Sequence, residues 1–402
     1  MINNKSSLFL SLMLIMALVL TAQPALSSPR LIALGDYHTA VTGRDAYRIN
    51  PAAVRASGNI FLMGLDLDLY LGNNMLYNDY IGEDQKDRIV NQISDSGFVL
   101  GSSARGGFKL GIGPVTLFAD GREDIMMRFS PDLGEMLLRG NELGRDYSLE
   151  GTDGSGAFYG DTGVSLSLKA PEAAVEALEF KDLYYGLNLR YLMGVIFKAE
   201  SDGNLNIGFD EEGAPSFEGK GEFELQFHEP TSFDSIATGL ALDLGLYANV
   251  TDEISAGLAI TNLGSLSVDQ AQYIRFDTEN DDEDTEGDLE DGLSWSLPLS
   301  ISLGGKYHGY SWVDIYGNYR NTSYDNGLTD HRLSVGSELN RLEFLPLRAG
   351  LSYSSLKNNM DLSLGLGIYL GPMKMDLSFS GLSGLVNRSR GMAAGLSTTI
   401  EF

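Results

Sequence analysis

The chain has no cysteine. That excludes a disulfide framework, a cysteine-ligated metal site and a thiol-linked lipid anchor. Beyond the first 27 residues no run reaches 18 consecutive apolar positions, so nothing in the mature sequence reads as a membrane-spanning helix. Basic residues are scarce, 28 Lys and Arg against 55 Asp and Glu, for a net charge of −27. Without a basic patch to neutralise phosphates, nucleic acid is excluded as a partner. Histidine is also rare, with four in all. A hydrolytic site needs a nucleophile or an activated water beside a base. His38, His228 and His308 fall in an irregular N-terminal stretch, a loop and a turn. Only Asp330-His331 has the look of a catalytic pair, and no serine stands at the spacing that barrel lipases use. The reading is non-enzymatic, with no cofactor and no metal.

What the sequence has in abundance is alternation. In the last 55 residues Leu362, Leu364, Leu366, Ile368 and Leu370 alternate with Ser363, Gly365, Gly367 and Tyr369. Met373, Met375, Leu377 and Phe379 alternate with Lys374, Asp376, Ser378 and Ser380. Ala394, Leu396, Thr398, Ile400 and Phe402 close the chain on one face of a final strand. Period-2 patterning over about ten residues, repeated, is the signature of a transmembrane β-barrel. Strands of soluble sandwiches average about five to six residues. Forty-eight glycines and nineteen tyrosines suit this class, since glycine lets strands curve and tyrosine sits at membrane interfaces. Gly365-Leu366-Gly367 lies inside a strand with no helix after it, so it reads as inward-facing glycine and not as a nucleotide loop.

Residues 1–27 read as a signal peptide: Lys5, an apolar stretch from Leu8 to Leu20, and Ala25-Leu26-Ser27 before the cut. An exported chain with no helical anchor points to the outer membrane of a diderm bacterium. Residues 28–58 are punctuated by Gly35, Gly43, Pro51 and Gly58 and do not alternate. Residues 59–402 form the barrel. The first strand sets Phe61, Met63, Leu65, Leu67, Leu69 and Leu71 against Gly64, Asp66, Asp68 and Tyr70. Thirteen more follow, at 101–112, 115–128, 157–168, 183–198, 236–249, 254–267, 294–305, 311–321 and 331–341, then the final four. Short helices are expected at 83–94 and 171–178, and tight turns at Gly113-Pro114, Thr251-Asp252 and Tyr307-His308-Gly309. Connections after the odd-numbered strands one to nine are long, and most of the others are short. That is the asymmetry of a barrel with both termini on the periplasmic side. The fold class is all-β: an antiparallel transmembrane β-barrel of about 14 strands.

The stretch from Leu34-Gly35 to Tyr47-Arg48-Ile49-Asn50-Pro51-Ala52 resembles the N-terminal segment of FadL-type outer-membrane transporters. In that family small residues followed by Asn-Pro-Ala precede the first strand and fold back into the lumen as a plug. Asp36-Tyr37-His38 and Arg44-Asp45 stand here where the family has a second glycine and an acidic pair. The resemblance implies a luminal plug over 28–58, with Gly35, Arg44, Asp45, Arg48, Asn50 and Pro51 as plug and gating residues. It also implies passive uptake of small hydrophobic molecules. An ordered N-terminal arm without a gating role is the plainer alternative.

Charges on a barrel strand belong on the lumen face, because each costs about 2–4 kcal/mol at the lipid midplane. Asp66, Asp68, Arg105, Lys109, Arg190, Asp314, Arg320 and Arg348 are the lumen charges of chief interest. Asp66 and Asp68 should face Arg105 and Lys109. Mixed signs suggest cross-wall pairing more than a selectivity filter. Asp269 to Asp291 holds eleven acids. A calcium loop starting at Asp282 would need a glutamate where Leu293 stands, so this run reads as a solvated external loop that could meet lipopolysaccharide through divalent ions. Phe402, a terminal aromatic on an alternating strand, resembles the signal read by the outer-membrane insertion machinery. The expected partners are therefore outer-membrane lipid and lipopolysaccharide, that machinery and a hydrophobic ligand. The competing function is a non-transporting scaffold or adaptor for secreted or surface proteins, with 199–235 and 268–293 as its docking loops. A continuously apolar lumen would favour transport. A lumen packed with salt bridges would favour the scaffold.

Overall fold

In each wall strand one face is buried and the other is exposed. In β1 (Phe61–Asn73) Leu62, Asp66, Asp68 and Tyr70 are buried, while Leu65, Leu67 and Leu69 are exposed, Leu67 by 61%. The computed structural model describes residues 28–35, 38–43, 45–58, 61–77, 80–94, 96–209, 215–230, 235–277, 285–382 and 389–402. The expected signal peptide, Arg44 and parts of both acidic loops lie outside the described residues.

Fourteen strands close a barrel. After β1 come β2 (Phe98–Ile112), β3 (Val115–Phe129), β4 (Thr152–Lys169), β5 (Asp182–Phe209), β6 (Ala237–Asn249) and β7 (Ile254–Val268). Then follow β8 (Leu299–Tyr310), β9 (Val313–Ser323), β10 (Thr329–Leu339), β11 (Leu347–Ser354), β12 (Asn359–Leu370), β13 (Met373–Ser380) and β14 (Gly391–Glu401). Each is antiparallel to its neighbours in chain order, and β14 returns to β1 from Leu62↔Glu401 to Gly72↔Gly391. Closure removes the free edges that an open sheet would present. Phe402 completes the seam: its N–H donates to Phe61 O at 3.0 Å and the two rings lie 6.1 Å apart. The outward faces carry a belt of leucine, isoleucine, valine and phenylalanine, the character of a lipid-facing surface. Among the described residues no helix is long and apolar enough to cross a membrane.

The structure departs from the sequence expectation at four places. The stretch read as the eighth strand (294–305) is broken into Leu293–Ser296 and β8, because Pro298 has no N–H to give the ladder. Opposite the break, Asn262 adopts φ +66, its N–H donates to Asp243 Oδ1 at 2.7 Å, and the β6–β7 register shifts between Leu242 and Leu244. The turn after β8 falls at Ser311-Trp312, beyond Tyr307-His308-Gly309, which stay within the strand. The acidic stretches are not plain loops. β5 runs on as a hairpin with Pro215–Phe227, which pairs with Gln272–Asp277, and that strand pairs in turn with Thr285–Asp288.

Among the described residues, the α-helix α1 (Pro29–Ala33) precedes β1, and α2 (Glu83–Ile93), α3 (Pro131–Arg139) and α4 (Glu172–Ala177) lie in connections between strands. The third was missed in the sequence, although Ser130-Pro131 announces it. The Ser130 hydroxyl accepts from Leu133 N–H at 3.2 Å and Pro131 fills the first turn. α2 and α3 bury Ile89, Ile93, Leu133 and Leu138 against Phe98, Leu100, Ile125, Met127 and Phe129, the outward positions at the upper ends of β2 and β3.

Candidate functional site

Among the described residues the lumen gathers most of the buried charge, and its contents follow from strand alternation. Directly opposed residues share a face, so Gly64↔Lys109, Asp66↔Gly107 and Asp68↔Arg105 set three successive inward positions of β1 beside three of β2. Lys109 Nζ lies 3.1 and 3.0 Å from the two oxygens of Asp66, and Arg105 pairs with Asp68 and reaches Asp66 at 3.9 Å. Further round, Arg190 binds Asp161 through Nε at 3.1 Å and Nη2 at 2.5 Å, and Asp243 through Nη1 at 3.1 Å. Arg348 joins Glu338 at 2.6 Å to Asp376 at 2.7 Å. Asp314 takes Lys306 at 2.9 Å. Arg320 is buried and stands directly opposite Arg332, which lies 3.6 Å from Asp330. Of the lumen charges read from the sequence, Asp66, Asp68, Arg105 and Lys109 are thus brought into one cluster. Arg190, Asp314, Arg320 and Arg348 sit at separate points on the wall.

The described residues of 28–58 lie against this wall, and most of their side chains are buried. Their path is written in inward glycines. A Cβ added at Gly245 would meet Pro51 Cδ at 2.9 Å, at Gly365 it would overlap Ala33, and at Gly395 it would meet Pro29 and Ile32 at 3.0 and 3.1 Å. Gly186, Gly257, Gly304, Gly336 and Gly350 leave the same kind of room for Ala52, Thr39 and Leu34. Gly35 itself has φ +94 and would bring a Cβ to 3.1 Å from the Leu351 backbone, so both conformation and space require glycine there.

Polar bonds fix the segment between these contacts. Asn50 donates from Nδ2 to Thr39 O and to Leu246 O, both at 2.8 Å, and its Oδ1 accepts from Ala52 N–H at 3.2 Å. Pro51 opens the short helix that Asn50 caps. Thr39 Oγ1 donates to Gly257 O at 2.9 Å, and Asn188 donates to Tyr47 O at 2.6 Å. Arg30 binds Glu338 with two nitrogens, at 2.8 and 2.9 Å, and lies 3.6 Å from Asp45. Arg48 pairs with Asp120.

Above this layer the lumen turns apolar. Trp295 and Tyr159 lie 5.8 Å apart in a cluster with Leu192, Ile196, Leu266 and Val268. The β9–β10 turn crosses the mouth: Tyr324 and Leu328 pack on Val99 and Met126 of β2 and β3, and Asn326 donates to Asp153 at 3.0 Å. Arg390 ties Lys357 O at 2.7 Å to Tyr77 and Gln92 at 3.0 and 2.9 Å. The packing of Tyr324 and Leu328 across the mouth is not readable from alternation, because both sit in a turn. Asp330 and His331 are not a catalytic pair: alternation buries Asp330 inside and leaves His331 outside, its Nδ1 2.9 Å from Tyr319 OH.

A closed barrel of fourteen strands with its N-terminal segment inside has the FadL-type architecture. Solved structures bear this out as a likeness of fold. The chain matches a Pseudomonas aeruginosa FadL homologue at TM-score 0.55 and 13% identity, covering 94% of this chain and 99% of that one. It matches the Ralstonia pickettii toluene transporter TbuX at 0.54 and 13%, covering 93% and 98%. For the P. putida toluene transporter TodX the values are 0.53 and 13%, covering 92% and 97%. By sequence the chain belongs to the family described as a family of unknown function (DUF5723), whose model matches residues 67–379. No curated protein matches it.

Proposed function

We propose that this is an outer-membrane barrel for passive uptake of small hydrophobic molecules, closed from within by residues 28–58 acting as a plug. The observation that carries the reading is the seating of that segment. It lies in a groove of inward glycines, held there by hydrogen bonds and ion pairs, below an apolar vestibule formed around Trp295, Tyr159 and Leu192. Gly35, Asp45, Arg48, Asn50 and Pro51 hold it. A molecule of the monoaromatic kind, as the names of TodX and TbuX suggest, would partition into the vestibule and pass when the segment shifts. The wall is hydrogen-bonded all round, so a sideways exit would need a ladder to open. The register shift beside Asn262 is the interruption nearest the vestibule. The test is uptake of labelled toluene by cells expressing the chain against cells with an empty vector. Faster uptake supports the reading, and equal uptake removes it.

One observation favours the scaffold reading. The lower lumen is lined by ion pairs, and the extended β5 hairpin with its neighbours raises an acidic sheet beyond the barrel. The stretches 199–235 and 268–293 hold 21 acids against two bases. In that sheet Arg275, hydrogen-bonded to Glu224, has its pKa raised. Co-purification of a surface protein that is lost when 272–288 is deleted, with no toluene uptake, would decide for the scaffold. Two partners complete the proposal: the acidic sheet faces lipopolysaccharide through divalent ions, and Phe402 is read by the insertion machinery. Deleting Phe402 should lower the amount of inserted barrel, and unchanged insertion would refute that role.

A further inference from the structure

The wall's buried carboxylates are not equivalent with respect to the N-terminal segment. Glu338 is bound by Arg30 of the segment but also by Arg348 of the wall. Asp66 meets Tyr47 OH at 3.3 Å but is also held by Lys109. Asp161 and Asp243 are neutralised by Arg190, again from the wall. If the segment left, each of these would keep a cation. Asp120 is different. Among the described residues, the cation that pairs with it is Arg48, which belongs to the segment.

Around that carboxylate the wall is shaped for a planar cation. Phe118, the next inward residue on β3, turns its ring toward the guanidinium, whose carbon is 5.7 Å from the ring centroid. Gly107, opposite Asp120 on β2, leaves the space open: a Cβ there would run into the carboxylate and stand 3.1 Å from Arg48 Nη2. The fit of Arg48 itself is incomplete. Its Nε and Nη1 have no hydrogen-bond partner among the described residues, although the side chain is buried. A buried donor without a partner is a liability that a freely placed ligand would not carry.

We propose that Asp120, Phe118 and the space over Gly107 form a binding site for organic cations of the guanidinium or alkylammonium class, and that Arg48 occupies it as a built-in pseudo-ligand. A free cation competes for the seat, and the segment loses its ion pair with the wall carboxylate that, among the described residues, has no wall cation paired to it. This rests on the reading of residues 28–58 as a plug. It deepens that reading by naming the chemistry that releases the plug.

The test is planar-bilayer recording of the full-length protein in guanidinium chloride against sodium chloride at equal ionic strength. Guanidinium should raise the open fraction by about tenfold where sodium does not, the shift expected of a ligand that binds the open state better by that factor. Asp120→Asn should be open from the start and insensitive to guanidinium. Arg48→Gln should open to the same degree, and the double variant should add nothing to either single change. Heat-modifiable migration on gels confirms that each variant is a folded barrel, and Phe118→Leu, which leaves the charge intact, should weaken the guanidinium response. Equal action of sodium and guanidinium on the wild-type chain would overturn the proposal, as would an undiminished response in Asp120→Asn. The plug reading fails separately, if deleting the segment leaves conductance unchanged.

Discussion

The side-chain nitrogen of Asn50 donates to the main-chain oxygen of Leu246, 2.8 Å away on β6. The same nitrogen holds Thr39 O, so one buried amide ties two parts of the segment to each other and to the wall. Asn50→Ala leaves those oxygens and the Ala52 N–H without their partner. A buried group left unsatisfied costs about 1–3 kcal/mol. The barrel should insert normally, and limited proteolysis from the periplasmic side should cut between 38 and 58 faster than in the wild type. Equal cutting would mean that this amide does not hold the segment.

The inward glycines make a sharper distinction. At Gly350 a Cβ would overlap the Leu34–Gly35 peptide, whereas at the outward Gly317 it would meet nothing within 4 Å. Gly350→Val should displace the segment and raise conductance in a barrel that still assembles. Gly317→Ala should change neither. The same response from both variants would show that the glycine row serves strand curvature and not the segment.

Lys109→Met should be among the most destabilising wall substitutions. It leaves Asp66 with Arg105 at 3.9 Å and Tyr47 at 3.3 Å in a fully buried site. Breaking a buried pair from one side costs about 3–5 kcal/mol. Removing both charges with Asp66→Leu and Lys109→Met should recover most of that in urea unfolding from liposomes. A double variant as weak as the single would contradict the pairing.

On the opposite face of the same strand, Leu67 is 61% exposed. If that face meets lipid, Leu67→Arg should destabilise the inserted barrel by about 2–4 kcal/mol, and Leu67→Phe by far less. Equal stability of the two variants would mean that the outward face does not lie in the membrane.

How much of this was legible depends on which physics wrote it. Period-2 alternation fixed the faces of β1 and β2, so the Asp66, Asp68, Arg105 and Lys109 cluster could be read from residue parity. The strand number and the order of long and short connections came from the same signal. What alternation does not encode stayed hidden. The break at Pro298 and the register shift at Asn262 come from local hydrogen-bond chemistry. The bridge of Tyr324 and Leu328 to Val99 and Met126 joins residues more than 190 positions apart in sequence. The special standing of Asp120 among the acids is a fact about what its neighbours lack. It becomes visible only once every other wall carboxylate has been matched to a wall cation. The Asn50-Pro51 motif was legible as a turn, but not as the anchor to Leu246.

The account turns on whether residues 28–58 close the barrel. A fourteen-strand barrel encloses more room than an eight-strand one, whose side chains nearly fill it. The measurement is single-channel conductance in planar bilayers for the intact chain and for a chain lacking residues 30–57 with its signal peptide kept. The account predicts a steady conductance from the deletion and almost none from the intact protein. Equal conductance from the two would contradict it.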